Sequence, residues 1–470
     1  MQIPILNGIK TDSDANFRIE YPLNMIPVPT KNGISNGYYR PADGIIQEGS
    51  ATSGVSRGGI NWNDVCYRVL GSKISSIDSA GVETVIDDVG GTTSQVSLDY
   101  SFDYLGILSD LKFFLYDGAT VVEVTDVDLG DPIDFIWIDG YFMLTDGEFI
   151  IVTELADPFQ IDPLKYGSAE LDPDPIKALL KLRNEPYALN RYTIEVFQNV
   201  GGSGFPFQVV DGAQIDRGVV GTHACCIYVE SIAFVGGGRN EAIAVWIGRG
   251  GSSVKISDKT VDLILEAYTD AEIEAIVLEA RVDKSHQFLY MHLPDRTMVY
   301  DAISSNALGE PVWFTLSSSG NADNLTRYLA KDLVYCYRKW MVGDPTTARI
   351  GYYTQEQADH WLTKVAWEFS TMIIYNDGKG AIVHELELVA LTGRVQFNID
   401  TLITTAYTFD GEVFSTDRSI SAGRRGQYQK RLIWLSQGNM RHWRIQRFRG
   451  QSDAFISPIR LEVRIEPLGN

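Results

Sequence analysis

Positive charge is scarce in this chain: 40 Lys and Arg stand against 61 Asp and Glu, a formal net charge of −21 over 470 residues. Sequence-specific duplex binding needs a cationic face to neutralise phosphates, so this balance argues against it. A strongly acidic surface keeps a chain soluble and repels polyanions. Cysteine is almost missing. Cys66, Cys225, Cys226 and Cys336 contain no CxxC pair, so neither a zinc site nor a disulfide framework is expected. They read as buried reduced thiols of a chain made in a cytoplasm. No apolar run approaches the roughly 20 residues of a membrane helix. The start, Met1-Gln2-Ile3-Pro4, lacks the basic and apolar regions of a signal peptide.

Catalytic signatures are missing too. There is no Walker loop and no GxSxG elbow. Gly248-Arg249-Gly250-Gly251-Ser252-Ser253 is a near miss for a dinucleotide loop without a surrounding βαβ unit, and a hairpin loop explains it. The six histidines are scattered, and His286 and His292 sit in strand-like sequence, as packing or surface residues would. Asp126, Asp128 and Asp131 lack the downstream bidentate Glu of a Ca²⁺ loop and read as a turn. No catalytic residue, cofactor or metal is expected. Asp410-Gly411-Glu412-Val413-Phe414 is at best one fragment of a sialidase-type turn. A propeller glycosidase or depolymerase with two carboxylates stays an alternative, as does a receptor-binding protein.

What the chain does have is glycine, aromatics and short alternating runs. There are 43 Gly, 23 Tyr and 20 Phe, with 44% hydrophobic and 21% charged residues, an ordinary globular composition. The length suits two or three domains. Residues 1–50 carry Tyr21-Pro22-Leu23-Asn24-Met25-Ile26-Pro27-Val28-Pro29, where proline forbids helix and interior strand, and predict an extended arm packing on the platform. From about 51 the pattern is strand, turn, strand: Val65 to Leu70, Ile74 to Ile77, Val82 to Ile86, Leu111 to Tyr116, Phe135 to Ile138, Tyr141 to Leu144 and Phe149 to Val152. Asp117-Gly118, Asp139-Gly140 and Asp146-Gly147 are hairpin turn pairs. Successive hairpins at this spacing predict a propeller-like domain over 51–350, although no Trp-Asp or kelch signature counts the blades. The Asp-Pro pairs in 157–186 predict a loop excursion with a short helix near Ile176 to Leu182. Thr269 and Glu272 form a capping box for one further helix. From 351 to 470 longer alternations, Trp367 to Ile374, His384 to Leu391, Gln396 to Ile399, Arg431 to Leu435 and Ile459 to Ile465, predict a β-sandwich-like platform. The fold class is therefore all-β with few short helices.

One segment breaks the charge balance. Arg418, Arg424, Arg425, Lys430, Arg431, Arg441, Arg444, Arg447 and Arg449 follow one another with no acidic residue between them, interleaved with Trp434, Trp443 and Phe448. A solvated basic face is the plain reading. The functional one is a docking surface for an acidic partner, or a cationic collar near DNA, carried by Arg424, Arg425, Lys430, Arg431, Arg441, Arg444, Arg447 and Arg449.

Several segments in chain order resemble the packaged-DNA stabilisation (tail hub or nozzle) proteins of short-tailed bacteriophages. They are Tyr21-Pro22-Leu23-Asn24, Tyr39-Arg40-Pro41, Gly44-Ile45, Gly54-Val55-Ser56-Arg57-Gly58 and Tyr67-Arg68-Val69. Further on come Thr193-Ile194-Glu195, Arg217-Gly218-Val219-Val220-Gly221 and Ser285-His286-Gln287-Phe288-Leu289-Tyr290-Met291-His292-Leu293-Pro294, the last continuing into Val299-Tyr300-Asp301-Ala302. Lys430 to Trp434 and Arg444 to Arg449 complete the set. The resemblance implies a non-enzymatic homohexameric ring in the virion tail, assembled in the host cytoplasm. It implies attachment below a portal adaptor, with tailspike or tail fibre at the side and a needle or plug below. Such a ring retains packaged double-stranded DNA and conducts it, without sequence preference, during genome ejection. Six copies at −21 each carry a formal −126, which suits a bore past which DNA slides.

Overall fold

The computed structural model describes residues 2–3, 5, 21–30, 34–49, 53–155, 157–169, 172–376, 379–395 and 400–468. Apolar alternation and tight turns fold the described residues between 53 and 354 into antiparallel sheets, all but the last a meander of consecutive strands. Seven such four-stranded sheets follow one another. Their first strands are Ser56–Trp62, Ser97–Tyr100, Asp134–Ile138, Ile176–Leu182, Cys225–Tyr228, Val277–Asp283 and Lys331–Cys336. Each first strand lies beside the next, and Lys331–Cys336 closes back on Ser56–Trp62. The architecture is a seven-bladed β-propeller with the first strands around the bore, so the ladder has no open end.

Closure uses the arm. Blade 7 takes only three strands from its own region, and Gly44–Gln47 completes it by pairing with Ile350–Thr354. Hydrophobic clusters then fill the seams between blades. Leu105, Ile107 and Phe114 meet Val69 and Ile74 between blades 1 and 2, while Cys66, Leu70 and Ile77 meet Val334, Cys336 and Met341 between blades 7 and 1. Each such side chain contributes about 1.5–3 kcal/mol on leaving water. Cys66 and Cys336 are free buried thiols in that last seam.

The C-terminal part is a sandwich. One sheet runs in the order Ala366–Ser370, Trp443–Gln451, Thr401–Thr408, Arg418–Gly423; the other runs Gln2–Ile3, Ser457–Pro467, Ala381–Leu391, Leu432–Leu435. Trp367, Phe369, Leu386, Ile403, Trp434, Phe448 and Leu461 fill the space between them.

Four expectations need correction. The stretch 157–186 is not a loop excursion: Asp157–Ile161 is the outer strand of blade 3, where an edge position tolerates Pro158. Ile176–Leu182 is not a helix but the inner strand of blade 4. Arg183 and Asn184, at φ 53° and 65°, turn it into a hairpin with Glu185–Asn190. The boundary between 350 and 351 cuts the strand Ile350–Thr354, because pairing with Gly44–Gln47 extends the propeller. For the same reason the arm does not pack on the sandwich alone: Ile3, Met25 and Tyr39 enter the sandwich core, whereas Ile26, Ala42 and Ile45 pack with blades 6 and 7. The strand expected at Gln396 to Ile399 lies outside the described residues.

Helix α1 (Lys259–Glu266) is capped by Asp258 and helix α2 (Asp270–Glu274) by the Thr269–Glu272 capping box. Helix α3 (Ala302–Leu308) starts at Asp301 and stops at Gly309, whose φ of 76° suits glycine. Sequence reasoning found α2 and missed the other two.

Candidate functional site

The basic segment does not form one surface. Arg424 and Arg425 are exposed on the turn after Arg418–Gly423 and make no ion pair among the described residues. Lys430 donates to Ser421 Oγ at 2.7 Å, and Arg431 pairs with Glu387. Arg441 is exposed at the sheet end. Arg444 is only 1% exposed, so its place on a docking face is corrected. It donates to Gln437 O at 2.8 Å and to Gln446 Oε1 at 2.5 Å, and its guanidinium lies 4.5 Å from the Tyr407 ring. Burial without a carboxylate pushes its pKa down to about 10. Arg447 stacks on Phe414 at 3.5 Å and is half-buried. Arg449, on the opposite face of the strand from Arg444, is tied to Glu368 of the sandwich and Asp323 of the propeller. The cause is alternation: within Trp443–Gln451, Arg444 points into the core, where period-2 reading of a mixed charged and aromatic run had no way to place it.

Arg449 is part of a junction that locks the two domains. Leu23 N–H donates to Glu368 O at 2.9 Å and Glu368 N–H donates back at 3.1 Å, while Thr315 and the 22–24 segment exchange bonds on the other side. A single residue thus joins the outer strand of blade 6 to the sandwich edge. Asn24, at φ 51° and 4% exposed, donates Nδ2 to Ser317 O at 2.9 Å and Ala366 O at 2.7 Å, and accepts from Ser317 N–H at 3.1 Å. The arm is held further by a buried pair, Arg281 to Asp43 at 2.7 Å, with Tyr353 4.5 Å from the guanidinium.

At one end of the bore, polar side chains from the entry ends of the inner strands converge. Lys331 donates to Gln95 Oε1 at 2.5 Å, Gln95 donates to Asp332 Oδ1 at 2.8 Å, and Ser56 donates to Asp332 Oδ2 at 2.6 Å. Arg68 donates to Ser56 Oγ and Asp332 O. Burial lowers Lys331, while for Asp332 burial is outweighed by Lys331, Gln95, Ser56 and Arg68, which hold it below the ordinary carboxylate range. Burial and the Lys331 ammonium push His223 down to about 4. Asp134 differs: burial raises it to about 7, against hydrogen bonds from Ser97 and Leu179 N–H. The network around Lys331 and Asp332 went unread in the sequence because its members come from blades 1, 2 and 7 and from His223 ahead of blade 5.

The motifs weighed in the sequence have structural roles. Gly248 to Ser253 is the hairpin between Ala244–Arg249 and Ser252–Lys255, turning on Gly250 and Gly251 at φ 52° and 81°. His286 binds Asp301 at 2.7 Å, and His292 bridges Thr297 and Glu279 at 3.0 and 2.8 Å. Asp126 accepts from Asp128 N–H and Ile161 N–H, and Asp410 accepts from Glu412 and Val413 N–H groups.

Charge is the property most strongly segregated. Residues 74–176, from the outer part of blade 1 to the start of blade 4, hold 22 acidic residues and 2 basic ones, Lys112 and Lys165. Residues 366–470, the sandwich side, hold 13 basic and 11 acidic. Most of the net −21 therefore lies on three blades.

Two family models match. One described as "Bacteriophage P22 Gp10, beta-propeller" covers residues 1–358, and one described as "Bacteriophage P22 Gp10, beta-sandwich" covers residues 366–466. The tail hub protein gp10 of Salmonella phage P22 is 28% identical over 463 residues, spanning 94% of each chain. Among solved structures, the N-terminal domain of Nup159 aligns at TM-score 0.41 and 7% identity over 72% of this chain and 100% of that one. The Neurospora crassa Pan2 WD40 domain aligns at TM-score 0.41 and 9% identity over 66% and 95%. Both are too distant to bear on function. Propeller, sandwich and their order along the chain coincide with the two matched models, and the chain belongs to the P22 Gp10 tail hub family, a structural component of a phage virion tail.

Proposed function

We propose that six copies of this chain close into a ring below the portal adaptor of a short tail, retain the packaged genome and conduct it during ejection. Tailspikes or fibres attach at the side of the ring and a needle or plug below. The observation that carries this reading is the charge segregation: 22 acidic against 2 basic residues on one arc of the propeller. An acidic wall repels phosphates, and a passing duplex meets no cationic trap. The path runs between copies and not through a propeller. Adjacent inner strands approach within 8 Å, and side chains from seven such strands project into the space they enclose, which leaves no room for a duplex. Lys331, Gln95 and Asp332 also occupy one end of that bore.

The test is genome retention. Heads completed without this chain should release DNA to added nuclease, and heads completed with it should protect the genome. Rings in which Asp78, Asp103 and Asp117, exposed on one face of blades 1 and 2, are all changed to Asn should assemble and eject more slowly. Full genomes protected in heads that lack the chain would refute the retention role, and unchanged ejection kinetics would refute the acidic wall.

A further inference from the structure

We infer that the turn at residues 424–430 of the sandwich docks on the acidic face of blades 2 and 3 of a second copy of this chain. The inference deepens the ring reading and rests on it.

The turn is a built projection. Gly426 N–H donates to Gly393 O at 3.2 Å, Thr392 Oγ1 to Gln427 O at 2.8 Å, and Arg424 N–H to Gln427 Oε1 at 3.0 Å. Gly393 sits at φ 79°, and a side chain there would meet Gln427 and Tyr428 backbone at 2.9 Å, so the close approach requires glycine. The projection presents Arg424 and Arg425, unpaired among the described residues, beside Tyr428, which is 66% exposed. An exposed tyrosine flanked by arginines is the composition of an interface anchor.

The projection leaves the sheet at the edge opposite the one fastened to its own propeller. Ala366–Ser370 is the sheet edge bound to Leu23 and the propeller, and the turn follows the opposite edge strand, Arg418–Gly423. Three strand spacings put the two edges about 14 Å apart.

The complementary face lies on the far side. Tyr166 gathers three connectors there: its hydroxyl donates to Asp128 O, its ring lies 5.9 Å from Phe149, and Lys165 beside it is consumed by Glu154 at 2.6 Å. Asp131 and Glu148 are exposed on the connectors of this face, and so are Val127 and Leu164, at 91% and 84%. Apolar side chains that open, on a face where Asp131 and Glu148 make no ion pair among the described residues, fit an aromatic and basic visitor. The sandwich is fastened at the seam of blades 6 and 7, and blade 3 is three to four blades away in either direction. One copy cannot bring its own turn to its own acidic face. Complementary patches on one chain pair head to tail, and such heterologous contacts make a ring when the rotation from copy to copy closes.

The test compares self-association of the full chain by mass photometry at low salt, with imaging of assembled tails. R424E/R425E and D131K/E148K should each weaken association about tenfold or more, and the combined four-residue variant should restore it. Tyr428→Cys with Val127→Cys should give disulfide-linked ladders between copies, with circular dichroism unchanged because both positions are exposed. If neither charge pair changes association and the cysteines do not cross-link, the docking inference is overturned while wild-type rings keep the ring reading standing. Rings that form normally with R424E/R425E yet fail to join heads assign the turn to the adaptor and overturn the inference. A wild-type chain that stays monomeric even in assembled tails overturns both.

Discussion

Replacing Asp134 by Asn should stabilise the propeller above neutral pH and leave it little changed in acid. Asp134 opens the inner strand of blade 3, is 6% exposed, and accepts from Ser97 Oγ at 2.6 Å and Leu179 N–H at 2.8 Å. Burial lifts its pKa from 3.8 to about 7, with Asp99 adding to the rise. Below about 4 both folded and unfolded chains hold this proton. Between there and about 7 the unfolded chain has released it and the folded chain has not, so the carboxyl's contribution to stability falls as pH rises. Above about 7 the full difference applies: about three pKa units, or roughly 4 kcal/mol as an upper bound. Asparagine keeps an oxygen for Leu179 N–H, and the Ser97 hydroxyl can rotate to accept from the new amide. Thermal unfolding of both proteins from pH 4 to 8 is the assay. The melting temperatures should coincide near pH 4 and separate by on the order of 5 °C at pH 8, with the variant higher. A gap that is absent, or one that closes with rising pH, would refute the reasoning.

Two further outcomes test the placement of polar residues. Asn24→Ala removes three buried hydrogen bonds at the domain junction and puts alanine at φ 51°, a loss of about 4 kcal/mol, so calorimetry should resolve separate propeller and sandwich transitions where the wild type unfolds as one. Arg444→Glu sets a carboxylate against Gln437 O and Gln446 Oε1 in the sandwich core and should cost about 3–5 kcal/mol, whereas Arg424→Glu should leave the melting temperature within about 1 °C; equal melting temperatures would mean that Arg444 is not buried.

By itself, the sequence determined the class of structure and the sign of its surface. Alternating runs broken by turn pairs are local, and they marked the strands from Val65–Leu70 to Ile150–Glu154 because period 2 and positive-φ turns need no knowledge of distant residues. Where turn residues were unusual, as at Arg183-Asn184, local reading lost the hairpin. The excess of acid in residues 74–176 and the run of arginines from Arg418 to Arg449 were likewise present in composition.

Only tertiary structure decided what those charges do. Blade number depends on which strand closes the ring, and here the closing strand, Gly44–Gln47, comes from about 300 residues before its partner Ile350–Thr354. Arg444 and Arg449 became structural, and Arg424 and Arg425 make no ion pair among the described residues, because strand register and neighbouring carboxylates, contributed by other elements, set each side chain's environment. The axial cluster and the junction at Asn24 are assembled from residues hundreds of positions apart, and long-range contacts of that kind leave no periodicity in a single chain.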